Sequence, residues 1–415
     1  MQRRQLHGRD ASMTKVESPS GRDLVLSFDF PPEIGGAHKW LYEIYSRWPT
    51  QVDALTHRYP LQEQAAERAR NFDLTAHGSL RIFRELGRYG DLSVVNPRFF
   101  KTIWQCRQRA QVIARSGSLR LHALRAFPEG FAGYVVQRTR PARTMLITYA
   151  HGEELLVAKT SRQLTYMAQS AYKHSSVVIA NSENTRRAVL ELVPTAHTEV
   201  IHPGVDCASF NRQADLAQRF RADLGWPDGT VIVLTLGRME PRKNHAGVMQ
   251  AISQLRQKGL QIGFICAGNG PESSALIELS ASLGIRSWVR FPGEVGEHDK
   301  QILFGAADIF AMPSIRVGSM IEGFGLVFLE AAAAGVPAIC GNSGGQPEAV
   351  QNGVTGTVID GTDVAAIAFA LEELAFDTER RKAMGEAARK WAAQHDWRNI
   401  ANQVARVAFI DSMAS

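Results

Sequence analysis

Cysteine is scarce in this chain: there are four in 415 residues, Cys106, Cys207, Cys266 and Cys340, with no metal-ligand spacing among them. That scatter excludes a zinc module and a disulfide-stapled fold, and it fits small buried hydrophobes in a reducing compartment. Long apolar runs are also missing. No stretch approaches the ~18 consecutive apolar residues of a membrane span. Residues 1–20 are polar and charged with no apolar centre, so they read as a disordered tail rather than a secretory signal. A cytoplasmic protein is expected, with peripheral attachment to the inner face of the cell membrane as a further option. Asp-x-Asp is absent throughout, which removes one common way of holding a divalent metal on a diphosphate. No metal and no resident cofactor are expected.

Acidic charge is thin in one region. From Lys101 to Arg143 there are nine basic residues (Lys101, Arg107, Arg109, Arg115, Arg120, Arg125, Arg138, Arg140 and Arg143) against Glu129 alone, within an overall net charge of +6. Such a stretch is either a solvated basic face or a surface for an anionic partner, such as a membrane leaflet or a phosphorylated acceptor. No nucleic-acid-binding motif accompanies it, so nucleic acid is not an expected partner.

At 415 residues the chain exceeds what one hydrophobic core usually organises, so two domains are expected. Short apolar runs alternate with helical stretches, the pattern of parallel sheets wrapped by helices. Strands are predicted at Asp23–Asp29, Met145–Thr148, Val177–Ala180 and from Glu199. A second series is predicted at Thr230–Leu236, Gln261–Gly268, Val289–Gly293, Ile309–Met312 and Pro337–Cys340. The domains are placed at 21–204 and 205–392, each an α/β doubly wound sheet, with a helix over 393–415 packing back on the first. Such sheets bind ligands beyond their strand carboxyl ends, in a cleft where the two domains meet.

The most informative stretch is Glu322-Gly-Phe-Gly-Leu-Val-Phe-Leu-Glu330, followed by Ala331–Ala334 and stopped by Gly335 and Pro337. A helix N-terminus offers unpaired N–H groups and partial positive charge to a phosphate. Carboxylates on either side accept hydrogen bonds from hydroxyls. Phosphate flanked by hydroxyls describes a nucleotide sugar, although two such glutamates alone also fit a surface helix.

Other candidates stand at strand exits. Arg238 and Lys243 leave one loop after Leu236, a fork and a point charge suited to diphosphate oxygens, or two exposed cations in a turn. Arg242, beside Lys243, reads as a surface charge. Gly35-Gly36 permits close approach to a phosphate, or makes an ordinary turn. His151 follows the Met145 strand, where a buried or capping histidine is the bland alternative. Gly268 opens Gly268-Asn-Gly-Pro271, and Ser343-Gly-Gly345 is a further strand-end loop.

In order, His151-Gly-Glu-Glu154, Gly237-Arg238 with Lys243-Asn244, Ala267-Gly-Asn-Gly-Pro-Glu272, Glu322-Gly-Phe-Gly-Leu326 with Glu330, and Ser343-Gly-Gly-Gln-Pro-Glu-Ala-Val350 resemble the large metal-independent retaining glycosyltransferase family with the GT-B fold. Within it the chain looks most like bacterial α-mannosyltransferases of phosphatidylinositol-mannoside type. The resemblance is dense from Leu236 to Asp360. In the first half it rests on Gly35-Gly36, His151 and Asn181-Ser-Glu-Asn-Thr185.

The resemblance implies Arg238 and Lys243 on the donor diphosphate, and backbone N–H groups of Gly323, Phe324, Gly325 and Leu326 on phosphate and sugar. It implies Glu322 on the sugar hydroxyls, Glu330 on the ribose, and Gly36 on the phosphate from the opposite domain. Val295 would lie by the nucleotide base, and His151 beside the transferred sugar. The implied partners are a nucleotide-sugar donor, GDP-mannose before UDP-glucose or UDP-N-acetylglucosamine, and a lipid or glycan acceptor. A nucleotide-sugar epimerase and a non-catalytic glycan- or membrane-binding subunit are the rival readings.

Overall fold

The computed structural model describes residues 21–32, 35–87, 97–113, 117–139, 144–211, 214–318 and 320–413, with side chains to residue 409. The stretch 1–20, expected as a tail, lies outside them.

Seven strands build the first sheet: β1 (Arg22–Leu26), β2 (Val52–His57), β3 (Leu80–Leu86), β4 (Leu119–Ala123), β5 (Thr144–Ala150), β6 (Val177–Ala180) and β7 (Thr198–Val200). They lie in the order β3-β2-β1-β4-β5-β6-β7, and every pairing is parallel. Six strands build the second: β8 (Val231–Leu236), β9 (Ile262–Ala267), β10 (Val289–Gly293), β11 (Ile309–Met312), β12 (Ala338–Gly341) and β13 (Gly356–Ile359). Their order is β10-β9-β8-β11-β12-β13, again all parallel. Helices cover both faces, so β9 (Ile-Gly-Phe-Ile-Cys-Ala) is buried along its whole length and reads as a continuous apolar run. Each sheet reverses strand order once, at β1/β4 and at β8/β11, and a ligand crevice opens at such a reversal.

β2, β3, β4 and β13 are absent from the sequence reading. β4 shows why: its Arg120 and His122 look incompatible with a central strand. Both are buried, and both bind Asp23 of β1. Arg120 Nε and Nη2 donate to the two Asp23 oxygens at 2.7 and 2.8 Å, and His122 Nε2 stands 3.0 Å from Oδ1. The basic stretch is corrected by the same contacts. Arg120 is only 1% exposed, Arg109 pairs with Glu85 at 2.9 Å, and Arg125 lies beside His38, so among the described residues these three do not add to an open basic face, whereas Lys101, Arg107 and Arg138 stand exposed. Arg115, Arg140 and Arg143 lie outside the described residues.

The chain passes between the sheets twice, side by side. Val205 N–H donates to the His395 carbonyl at 2.8 Å, and a Cβ on Gly204 would lie 2.6 Å from the Trp397 ring. The helix Trp397–Met413 then packs on the first domain, not the second. Its Trp397, Ile400, Val404 and Phe409 are buried with Trp40, Tyr45 and Trp48. Among the described residues no helix is long and apolar enough to cross a membrane.

Candidate active site in the interdomain cleft

The loop after β11 leads into the helix Leu326–Ala334. Its cap, Gly325, has φ 89°, a left-handed turn closed to most side chains, and makes no side-chain cap bond, which leaves the first N–H groups of the helix unclaimed by a side chain. Gly323 has no room for a side chain, since a Cβ would lie 2.3 Å from the His151 carbonyl of the other domain. Gly344 and Gly345 lie behind this loop, where added Cβ atoms would fall 2.2 Å from the Glu322 carbonyl and 2.0 Å from that of Gly323. Gly345 N–H also donates to Glu322 O at 2.9 Å, so Ser343–Gly345 supports the loop from beneath.

Gly35 and Gly36 start the helix Gly36–Ser46 directly opposite. A Cβ on Gly36 would lie 3.2 Å from Leu326 Cδ1, so two helix N-termini, one from each domain, converge on one point. Their partial charges add there.

Glu322 is buried and shared between two cations, Lys243 Nζ and Arg242 Nη1, the latter at 2.9 Å. Burial opposes its ionisation, but Lys243 and Arg242 outweigh burial and hold the carboxyl below its ordinary value. Arg242 also donates to Glu240 at 3.0 Å and, across the cleft, to Glu153 at 3.3 Å. The expectation of a surface charge at Arg242 is therefore wrong; Pro241 turns both cations inward. Arg238 behaves oppositely. It pairs with Glu240 at 3.1 Å while its side chain stays 76% exposed, free to swing to a ligand.

Glu330, one turn into its helix, accepts from Lys300 at 2.8 Å and from Lys39 at 3.1 Å. Glu297 accepts from the same two lysines, at 2.8 and 2.9 Å. Lys39 belongs to the first domain, so this four-membered ion ring ties the cleft shut. Burial would neutralise Glu330, yet the two lysines draw its pKa down to about 2. Beside the ring lies a cavity of about 210 Å3 lined by Lys39, Glu43, Phe210, Glu297, Glu330 and Trp397.

His151 closes the site from the first domain. Its Nε2–H donates to the Leu124 carbonyl at 2.9 Å, which leaves Nδ1 without a proton. Burial, then the nearby Arg125 charge, pushes the imidazole down to about 3. Its own carbonyl accepts from Asn181 Nδ2 at 3.1 Å, and its ring stands edge-on to Trp40 at 5.2 Å. At the β1 and β4 exits Arg125 lies 2.9 Å from His38 and 3.7 Å from Asp29. The Phe324 side chain is buried in the second-domain core and stacked on His202 at 5.1 Å, which leaves its backbone to serve a ligand.

Gly268, at φ 125°, is packed so that a Cβ would lie 2.0 Å from the Gly237 carbonyl, and its N–H donates to Gly293 at 2.8 Å. It joins three strand exits, and half-buried Val295 follows just beyond. Among the described residues no group of three His, Cys, Asp or Glu side chains could hold a metal ion.

Residues 34–209 match the family model described as Glycosyltransferase Family 4, and residues 217–391 match that of Glycosyl transferases group 1. Over 400 residues the chain is 30% identical to the GDP-mannose-dependent alpha-(1-6)-phosphatidylinositol monomannoside mannosyltransferase of Mycobacterium tuberculosis, covering 92% of this chain and 97% of that protein. The chain belongs to the group 1 glycosyltransferases. The Mycolicibacterium smegmatis protein of the same name is 35% identical over 289 residues, 68% of this glycosyltransferase and 74% of its relative. Its fold is that of Anabaena Alr3699/HepE in complex with UDP-glucose, with a TM-score of 0.74 at 22% identity over 93% of this chain and 98% of that one. Two facing parallel-sheet domains make it a GT-B enzyme, and membership answers the rival epimerase reading.

Sequence reasoning missed Lys39, Lys300 and the inward turn of Arg242. The first two carry no local mark, because Glu330 lies 291 and 30 residues away from them.

Proposed function

We propose that this glycosyltransferase moves a mannosyl group from GDP-mannose to a hydroxyl of a phosphatidylinositol-mannoside-type lipid, with retained anomeric configuration and without a metal ion. One observation carries this reading: the identity to the monomannoside mannosyltransferase runs through both halves of the chain, not the donor half alone. In the proposal the enzyme works peripherally at the inner face of the cell membrane.

Arg238 and Lys243 receive the donor diphosphate together with the N–H groups of Gly323 to Leu326. Gly36 admits the phosphate from the opposite helix, and Gly268 and Val295 border the nucleotide. Glu330 accepts from the ribose hydroxyls, exchanging its lysine contacts for them, and Glu322 accepts from the sugar. As the glycosidic bond breaks, negative charge grows on the leaving phosphate and the converging helix ends and cations stabilise it. A departing phosphate oxygen takes the acceptor hydroxyl's proton as the new bond forms on the same face. His151, neutral and held in one tautomer by the Leu124 carbonyl, borders the site without adding positive charge near the developing oxocarbenium ion.

The test is transfer of labelled mannose from GDP-mannose to phosphatidylinositol monomannoside, with and without EDTA. An α-linked product formed at equal rate in EDTA supports the reading. Loss of activity restored only by a divalent metal, a β-linked product, or preferential use of UDP-glucose or UDP-N-acetylglucosamine would overturn it. Lys243→Ala removes roughly 3–4 kcal/mol of transition-state stabilisation. Turnover should drop several hundredfold while circular dichroism stays unchanged.

A further inference from the structure

Glu348 belongs to the short second-domain helix Gln346–Ala349, yet its carboxylate is directed at the first domain. Oε2 accepts from the Glu183 N–H at 2.6 Å and Oε1 from the Asn184 N–H at 3.0 Å. These two groups open the first-domain helix Glu183–Leu192, where they have no intrahelical acceptor. The Glu183 side chain does not compete, because Arg186 holds it at 2.7 and 2.8 Å. A third contact, from His202 Nε2 at 3.1 Å, adds the segment that crosses between the sheets. Burial opposes ionisation of Glu348, but the bonds from His202, Glu183 and Asn184 outweigh it and hold the carboxyl below its ordinary value. A carboxylate that claims two N–H groups at a helix N-terminus makes a strong, directional contact.

Both ends of this contact lead to the cleft. On the first-domain side Ser182 caps the same helix, accepting from Thr185 N–H at 3.1 Å, and its hydroxyl stands 3.3 Å from Asn181 Oδ1. Asn181 Nδ2 in turn holds the His151 carbonyl at 3.1 Å, the same carbonyl that a Cβ on Gly323 would strike. On the second-domain side His202 stacks on Phe324 at 5.1 Å, and Gly345 N–H supports the Glu322 carbonyl. A Cβ on Gly345 would lie 3.0 Å from Ser182 Cβ, so there is no slack between the domains here. A continuous seam therefore runs from Glu348 to the place where His151 meets the Gly323–Leu326 loop.

We propose that Glu348 is a positioning residue, which sets the spacing between His151 of one domain and the Gly323–Leu326 loop of the other. It acts through Asn181 and His202 and touches neither donor nor acceptor. The seam stands on its own contacts; its effect on turnover rests on the donor site proposed above. A misplacement of about 1 Å at the reacting groups can lower a rate about a hundredfold. The groups assigned to donor binding lie mostly in the second domain, which the seam leaves in place, so the loss belongs in kcat and not in KM.

Glu348→Gln keeps the size and one acceptor oxygen, whereas Glu348→Ala removes the contact. With GDP-mannose and phosphatidylinositol monomannoside, kcat should fall about tenfold for the first and about a hundredfold for the second. KM for GDP-mannose should stay within about twofold of wild type. Propionate added to Glu348→Ala should restore part of kcat. Glu183→Gln, which alters a carboxylate paired only with Arg186 and Arg187 of its own helix, should match wild type. Hydrogen exchange reads the seam without catalysis: the Glu183 and Asn184 amides should exchange about tenfold faster in Glu348→Ala, with circular dichroism unchanged. Wild-type kcat in Glu348→Ala, a rise in KM that accounts for the whole loss, or unaltered exchange would overturn the proposal. Wild-type protein that transfers no mannose would sink the proposed function instead. The same variants are then compared on whichever nucleotide sugar the wild type consumes, hydrolysis included, and the same outcomes decide the role of Glu348.

Discussion

Lys39 is one side chain with two jobs, since it neutralises Glu330 and Glu297 while belonging to the opposite domain. Burial would strip its proton, but Glu330 and Glu297 outweigh burial and hold the ammonium charged. Lys39→Met breaks the ring across the cleft; Lys300→Met breaks it within the second domain only. Small-angle scattering of the donor-free enzyme should show a larger radius of gyration for Lys39→Met and an unchanged one for Lys300→Met. Equal radii in both variants would show that the ring does not hold the domains together. None of this was legible in the sequence, where Lys39 is one more cation on an amphipathic helix. Glu330 was legible because its chemistry is local: it sits one turn into a helix capped by glycine. Its partners come from distant chain positions, and a linear reading has no means to join them.

At the scale of elements, legibility followed apolarity. β8, β9 and β11 carry no charged residue and are apolar apart from Thr235 and Gly263, and they were recognised within a residue or two. β4 escaped because Arg120 and His122 sit in it, and only Asp23 on the neighbouring strand makes them tolerable. Burial raises the Asp23 pKa, but the hydrogen bonds from Arg120 and His122 win and hold the carboxyl far below its usual range. Removing one member of such a cluster leaves an uncompensated buried charge. Asp23→Ala should therefore cost about 3–5 kcal/mol in urea unfolding, whereas joint replacement of Asp23, Arg120 and His122 by apolar residues should recover most of it. A single variant as stable as wild type would show that the cluster is solvated after all. Arg120 also stacks on Phe409 at 4.7 Å, so this cluster forms the floor under the C-terminal helix.

For the whole molecule, the response to acid follows from five histidines. His77, His122, His151, His245 and His395 are all held below the ordinary imidazole range, with burial the leading cause in each, His151 at about 3 and His245 at about 4. Above pH ~7 neither folded nor unfolded chain carries these protons, and stability is flat. As pH falls through about 6.5 the unfolded chain binds protons that the native state refuses, so stability drops. Glu330 adds a second stage with the same sign: its depressed pKa stabilises the fold above about 4.5 and that contribution disappears toward 2. The melting temperature should be several degrees lower at about pH 5 than at about pH 7. A curve without slope in that window would contradict the buried histidines. Because His151 stays neutral throughout, its titration should leave no inflection in the turnover profile near 6.5.

The C-terminal helix has a consequence for how the protein is born. Residues 21–200 leave the ribosome first, yet Trp40 and Trp48 wait for Trp397 and Phe409 before their apolar surface is covered. The second sheet is synthesised complete and can settle while the first stays open on one side. The half made first is thus the half finished last, and nascent chains stalled short of Trp397 would present that aromatic surface to chaperones.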